Sequence, residues 1–108
     1  MWPLKIIKGD NVLLRYQLLE GGAPRDITGM DFRLQVREKA GGMVFSKKGF
    51  IEEAGEGRFS FLISETERPM RGVLEILMRD RMGEEIRLTP PGGLRMEVVE
   101  AEEALHAL

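Results

Sequence analysis

The chain predicts an all-β fold, a small sandwich or barrel of antiparallel strands, on two observations. Apolar and polar residues alternate strictly over Asp31–Arg37, and the same rhythm returns at Arg58–Ser64 and Leu94–Val99. Such a period of two places Phe32, Leu34 and Val36 on one face of a strand and Arg33, Gln35 and Arg37 on the other. Turns rich in Gly and Pro separate the runs at roughly the 8–12-residue spacing of such folds. This pattern leaves little on which to build an active site.

Each element follows in order. Leu4–Ile7 reads as a short first strand, ended by Lys8-Gly9-Asp10. Val12–Leu19 is the second. Val12, Leu14, Tyr16 and Leu18 share one face, and Leu13, Arg15, Gln17 and Leu19 the other. Apolar side chains on both faces mean that both are partly covered or that the strand lies at an interface. Glu20-Gly-Gly-Ala-Pro24 is a turn, and Asp26-Ile27-Thr28-Gly29 a second bend whose short polar side chains can close on nearby amides. The third strand, Met30–Arg37, forms a hairpin with Met43–Lys47 through Gly41-Gly42. Phe50–Glu53 fits a short edge strand.

Gly55-Glu56-Gly57 turns the chain into Arg58–Ser64, whose Phe59, Phe61 and Ile63 are expected at the centre of the core. Ser64-Glu65-Thr66-Glu67 has the pattern of a capping box, and Pro69 limits it to one helical turn. Gly72–Asp80 and Glu85–Thr89 are antiparallel partners about Met82-Gly83-Glu84. Pro90-Pro91-Gly92-Gly93 is a corner that no sheet accommodates, and Leu94–Val99 closes the fold. From Glu100 the composition changes to helix formers, too few for a stable isolated helix. The expectation is one β-sandwich domain over residues 1–100 and a C-terminal tail, 101–108, either helical or docked on a partner.

Composition narrows the function classes. At 108 residues the chain can bury roughly two-thirds of its unfolded surface. Without cysteine it has no disulfide, thiolate nucleophile or Cys-based zinc site. A net charge of −2 argues against an electrostatic grip on nucleic acid or an anionic membrane. The N-terminal segment is charged too early for a secretory signal, so the expectation is synthesis in the cytoplasm without export by that route.

Candidate chemistry is sparse. His106, the single histidine, sits in the tail without an orienting carboxylate or a rigid nucleophile. None of Ser46, Ser60 or Ser64 lies in a Gly-x-Ser-x-Gly elbow. The pairs Glu52-Glu53 and Glu84-Glu85 fall on strands or turns, where adjacent side chains point to opposite faces, and Glu102-Glu103 lies in the tail. All three read as solvated acidic surface rather than as acid/base dyads or calcium ligands. The glycine-rich turns lack the lysine and helix of a phosphate cradle. No catalytic residue, metal ligand or cofactor is therefore expected. Exposed apolar side chains beyond scattered single residues usually mark an interface. The candidates are Trp2, Leu13, Leu19, Leu105 and Leu108. Their bland alternative is that Leu13 and Leu19 complete the core and the tail stays free.

In order, the motifs run Lys8-Gly9-Asp10, Gly21-Gly-Ala-Pro24, Asp26-Ile27-Thr28-Gly29, an alternating strand ending Val36-Arg37-Glu38, then Gly57-Arg58-Phe59-Ser60-Phe61, Ser64–Thr66, Arg71-Gly72 and Arg81-Met82-Gly83. Across residues 4–99 this order resembles the immunoglobulin-like N-terminal module of baseplate upper proteins of tailed phages and related small virion proteins. Asp-Ile-Thr-Gly with the preceding Gly-Asp is its strongest part. Val73 departs from the aromatic that the family often carries there, and no large receptor-binding or fibre-linking region follows. The resemblance implies an immunoglobulin-like antiparallel β-sandwich of about seven to eight strands. It also implies a non-enzymatic structural component of the tail, baseplate, neck or capsid surface, located in the virion and made in the host cytoplasm. Its partners would be other virion proteins and further copies of itself, with neither nucleic acid nor membrane. The alternative is a carbohydrate- or protein-binding adhesion module.

Overall fold

The computed structural model describes residues 4–38 and 42–100. The expectations for Trp2, Leu105, His106 and Leu108, and for a helical or docked tail, lie outside the described residues. Eleven strands are present within them: β1 (Leu4–Ile7), β2 (Val12–Gln17), β3 (Leu19–Glu20), β4 (Ala23–Pro24), β5 (Asp31–Glu38), β6 (Met43–Lys48), β7 (Phe50–Glu53), β8 (Arg58–Ile63), β9 (Met70–Arg79), β10 (Glu85–Arg87) and β11 (Leu94–Val99). One sheet has the order β1-β11-β9-β5-β6, with β10 added beside β9. The other has the order β2-β8-β7, and β3-β4 forms a separate ribbon. The chain is an all-β sandwich.

Alternation explains which side chains lie between the layers. Phe32, Leu34 and Val36 of β5 stand opposite Met78, Ile76 and Leu74 of β9, and all six are buried. Met96 and Val98 of β11 and Ile6 of β1 continue that face. From the smaller sheet, Phe59, Phe61 and Ile63 close the core as the pattern predicts. Phe32 stacks on Phe59 across the layers with ring centroids 3.9 Å apart, and Phe61 meets Phe59 edge-on at 5.9 Å. Tyr16 packs against both Phe59 and Phe61. Aromatic contacts of this kind add to the area they bury.

The two sheets are joined at a corner. β6 runs into β7 through Gly49, whose amide donates to the Phe32 carbonyl at 2.7 Å. A Cβ there would lie 2.8 Å from Phe32 Cβ and 2.9 Å from Phe61 Cε1, so only glycine lets the backbone cross over the aromatic core.

Four expectations are corrected. The strand count exceeds seven to eight: eleven are present among the described residues, with the two-residue ribbon β3-β4 an addition that the sequence reads only as a turn. The sandwich is not wholly antiparallel: β1 runs parallel to β11, with Leu4 opposite Met96 and Ile7 opposite Val99. The second strand stops at Gln17 rather than Leu19. The Leu18 amide donates to Gly57 and its carbonyl accepts from Arg25, so the backbone has left the β8 ladder.

The helical turn lies at Ala54–Glu56, not at Ser64–Glu67. Gly57 closes it at φ 69°, a conformation glycine adopts without strain. At the other segment the Ser64 amide is taken by the Glu65 carboxylate, and the Thr66 hydroxyl donates to the Asp10 carbonyl at 2.7 Å. With those groups engaged, no cap remains to start a helix before Pro69.

Candidate interaction surface

The outer face of β2-β8-β7 carries a contiguous apolar patch. Leu13 of β2 stands directly opposite Leu62 of β8, and Phe50 of β7 opposite Ser60, two residues along the same face. Leu13, Leu62 and Phe50 are 47%, 54% and 70% exposed. They surround an open depression of about 510 Å³ with the buried Ser60 at its floor. Pleating explains the arrangement: once Phe59, Phe61 and Ile63 turn inward, Leu62 must turn out, and antiparallel register brings it against Leu13. Fully burying one such side chain contributes roughly 1.5–3 kcal/mol, so half-exposed ones still have on the order of 1 kcal/mol each to gain.

The rim is charged and mostly paired. Arg15 Nε lies 3.4 Å from Glu52 Oε1, and Lys47 pairs with Glu65. Burial pushes the Glu65 carboxyl up, but hydrogen bonds from Lys47 and the Ser64 amide, with the Lys47 charge, outweigh it and hold the group below its ordinary range. Lys48, on the same rim, has no carboxylate within ion-pair distance among the described residues.

Of the predicted interface residues, Leu13 is exposed and belongs to this patch. Leu19 is also exposed, at 53%, but the structure does not bring it to Leu13. It stands on the β3-β4 ribbon opposite Pro24. Neither leucine completes the core. Phe50 and Leu62 complete the patch although the interface candidates omit them. Leu62 could have been found as the one apolar residue out of phase in Arg58–Ser64; the Leu13–Leu62 contact depends on strand register.

The Asp26-Ile27-Thr28-Gly29 bend is a clamp at one end of the sandwich. Asp26 Oδ1 accepts from the Thr28 amide at 2.9 Å and from its hydroxyl at 2.6 Å. Arg81, from the β9–β10 turn, donates to the Thr28 carbonyl at 2.6 Å and the Asp26 carbonyl at 3.2 Å. The Thr28 hydrogen bonds, with a smaller contribution from the Arg81 charge, hold the Asp26 carboxyl below its ordinary value. Between Asp26 and Thr28, Ile27 is fully buried, so the motif anchors a loop to the core.

On the outer face of the larger sheet an open groove of about 360 Å³ runs over Leu77. Its Glu85 takes both Arg33 at 3.5 Å and Arg79 at 3.9 Å. Of the other carboxylates singled out in the sequence, Glu53 pairs with Arg58 at 3.1 Å and Glu84 is exposed, while Glu102 and Glu103 lie outside the described residues. Among the described residues no three His, Cys, Asp or Glu side chains are grouped as metal ligands. No helix of the described residues is long and apolar enough to cross a membrane.

No protein-family model matches the chain, and no curated protein is similar to it in sequence.

Proposed function

We propose that this protein is a non-enzymatic structural component of a tailed-phage particle, an immunoglobulin-like module that acts through contacts between subunits. The observation that carries the reading is the Leu13–Phe50–Leu62 patch on the outer face of the smaller sheet. A half-exposed apolar cluster with a charged rim has the composition of an interface centre and edge. β2 borders the same face with an edge that no other strand of the described residues pairs, and which can extend the contact by strand addition. The particular setting, a tail, baseplate, neck or capsid surface, rests on the order of motifs from Gly9-Asp10 through Asp26-Ile27-Thr28-Gly29 to Arg81-Met82-Gly83. In that setting the partners are other virion proteins and further copies of this chain.

The test is size-exclusion chromatography with light scattering, on the protein alone and mixed with tail and baseplate proteins of such a phage. The expected result is a defined assembly that Leu62→Glu and Leu13→Glu weaken. A persistent monomer that binds no virion protein overturns the reading.

A second reading, a carbohydrate- or protein-binding adhesion module, draws on Phe50. It is the most exposed aromatic of the described residues, at 70%, and lies beside the polar Lys48, Glu52 and Ser60. Sugar rings stack on such surfaces. Saturable binding on a glycan array, lost in Phe50→Ala, would favour it.

A further inference from the structure

We propose that β2 pairs antiparallel with β2 of a second copy of this chain, with Leu13 of each copy opposite Arg15 of the other, so that the two smaller sheets become one. In role this contact rests on the assembly reading above; in geometry it rests on the strand edge alone.

A strand edge with free amides and carbonyls is a template for another strand, and proteins blunt the edges they leave unused with shortness, lysine, proline or a bulge. Every other edge among the described residues is blunted in this way. β6 is bulged where Val36 and Arg37 of β5 face Phe45 and Met43, and it carries Lys47 and Lys48. β7 is bulged between Ile51 and Glu53 and is acidic there. β1 has four residues with the exposed Lys5 among them, and β10 has three. β3 and β4 have two each. β2 carries none of these devices. Its six residues, Val-Leu-Leu-Arg-Tyr-Gln, keep unbroken register with β8 from Val12–Ile63 to Gln17–Arg58. The Leu18 amide points at Gly57, the position after the Gln17–Arg58 pair. Alternation then turns the amides and carbonyls of Val12, Leu14 and Tyr16 toward β8 and those of Leu13, Arg15 and Gln17 outward. No strand of the described residues takes up that outward row.

Side-chain chemistry selects the register. A twofold axis perpendicular to the sheet sets outer-face residues opposite outer-face residues, which leaves few choices. With Arg15 opposite itself, like charges meet across the junction, which is destabilising. With Leu13 opposite itself, Tyr16 falls against Asp10, which precedes β2, and the ladder shortens. With Leu14 on the axis, Leu13 meets Arg15 of the second copy and Val12 meets its Tyr16, each pair occurring twice. The Arg15 stem can then cover the exposed Leu13 while its guanidinium stays in water. On the inner face Val12, Leu14 and Tyr16 are only half-buried in one copy, and each gains cover from the other. Aromatic and β-branched side chains such as Tyr16 and Val12 make favourable cross-strand pairs. The two Leu13 side chains come to lie diagonally across the junction, so the Leu13–Leu62 pair of each copy joins that of the other in one apolar band.

Two measurements on the intact chain test the pairing. Amide hydrogen exchange, followed from dilute to concentrated protein, should slow on the order of tenfold at Leu13 and Arg15. Val12, Leu14 and Tyr16, already bonded to β8, should change less. Exchange at Leu13 and Arg15 that does not depend on concentration overturns the proposal. The chain has no cysteine, so Leu13→Cys and Arg15→Cys, both at exposed positions, report the register. In a thiol–disulfide buffer, a mixture of the two variants should give the mixed disulfide in clear excess over either homodimer. Directly opposite Cβ atoms lie about 4.5–5.5 Å apart, within reach of a disulfide, and diagonal neighbours about 7–8 Å. A homodimer of either variant in equal or greater yield overturns the pairing as drawn. If the protein assembles through contacts that Leu62→Glu weakens while the Leu13 and Arg15 amides stay open, the assembly reading stands and this pairing falls. A dimer with both amides protected that binds no virion protein keeps the pairing and removes the phage setting.

Discussion

Gly49 shows how one residue without a side chain lets the chain pass from one sheet to the other. Its would-be Cβ falls on Phe32 and Phe61, both held in the packed core, so neither can yield cheaply. Gly49→Ala is expected to cost about 1–3 kcal/mol, the usual range for overpacking. Chemical denaturation reads that as a lower midpoint with an unchanged slope.

Two other residues contribute to the acid limb of stability. Asp26 and Glu65 both have carboxyl groups held below their ordinary values. A depressed carboxylate stabilises the fold while ionised. Its contribution is present above the unfolded-state pKa and is lost as the pH falls through the lower folded value. Stability should therefore decline below the ordinary carboxylate range, near pH 4 and under. Glu65→Gln should be less stable than the parent at neutral pH, with the difference closing in acid. Thermal melts across that range check the sign.

Among elements, β8 divides most sharply into two faces. Phe59, Phe61 and Ile63 face the core, while Leu62 faces out between Leu13 and Phe50. Phe61→Ala should cost about 3–5 kcal/mol through lost burial and a cavity. Leu62→Ser should change stability by roughly 0.5 kcal/mol or less, as surface substitutions do, and its effect should appear in association instead. Paired denaturation and light-scattering measurements on the two variants separate these outcomes. The β9–β10 hairpin was legible in advance, as two strand runs about the turn Met82-Gly83-Glu84. The break after β2 was not, because it depends on Gly57 and Arg25 claiming the Leu18 backbone from distant loops. The misplaced helical turn has the same origin: Ser64 and Thr66 carry cap chemistry, but a neighbouring carboxylate and a residue in the β1–β2 connection use it first.

For the whole molecule, layering predicts a gradient of local stability. β9 is bordered by β5 on one side and by β11 and β10 on the other, and its inward residues are buried along its length. Among the described residues, β7 and β2 border only β8. Hydrogen exchange should be slowest in β9 and β5 and fastest in β7, β3 and β4, since edges open without disturbing the centre. Uniform exchange across both sheets would contradict that gradient.

Alternation and turn chemistry by themselves determined an all-β chain and the inward faces of β5, β8 and β11, because a period of two acts within a single strand. Only the tertiary structure decided which strands meet, that β1 runs parallel to β11, and that Leu13 and Leu62 form one patch while Leu19 stands apart. Those outcomes depend on contacts between residues far apart in the chain, and local pattern does not encode register.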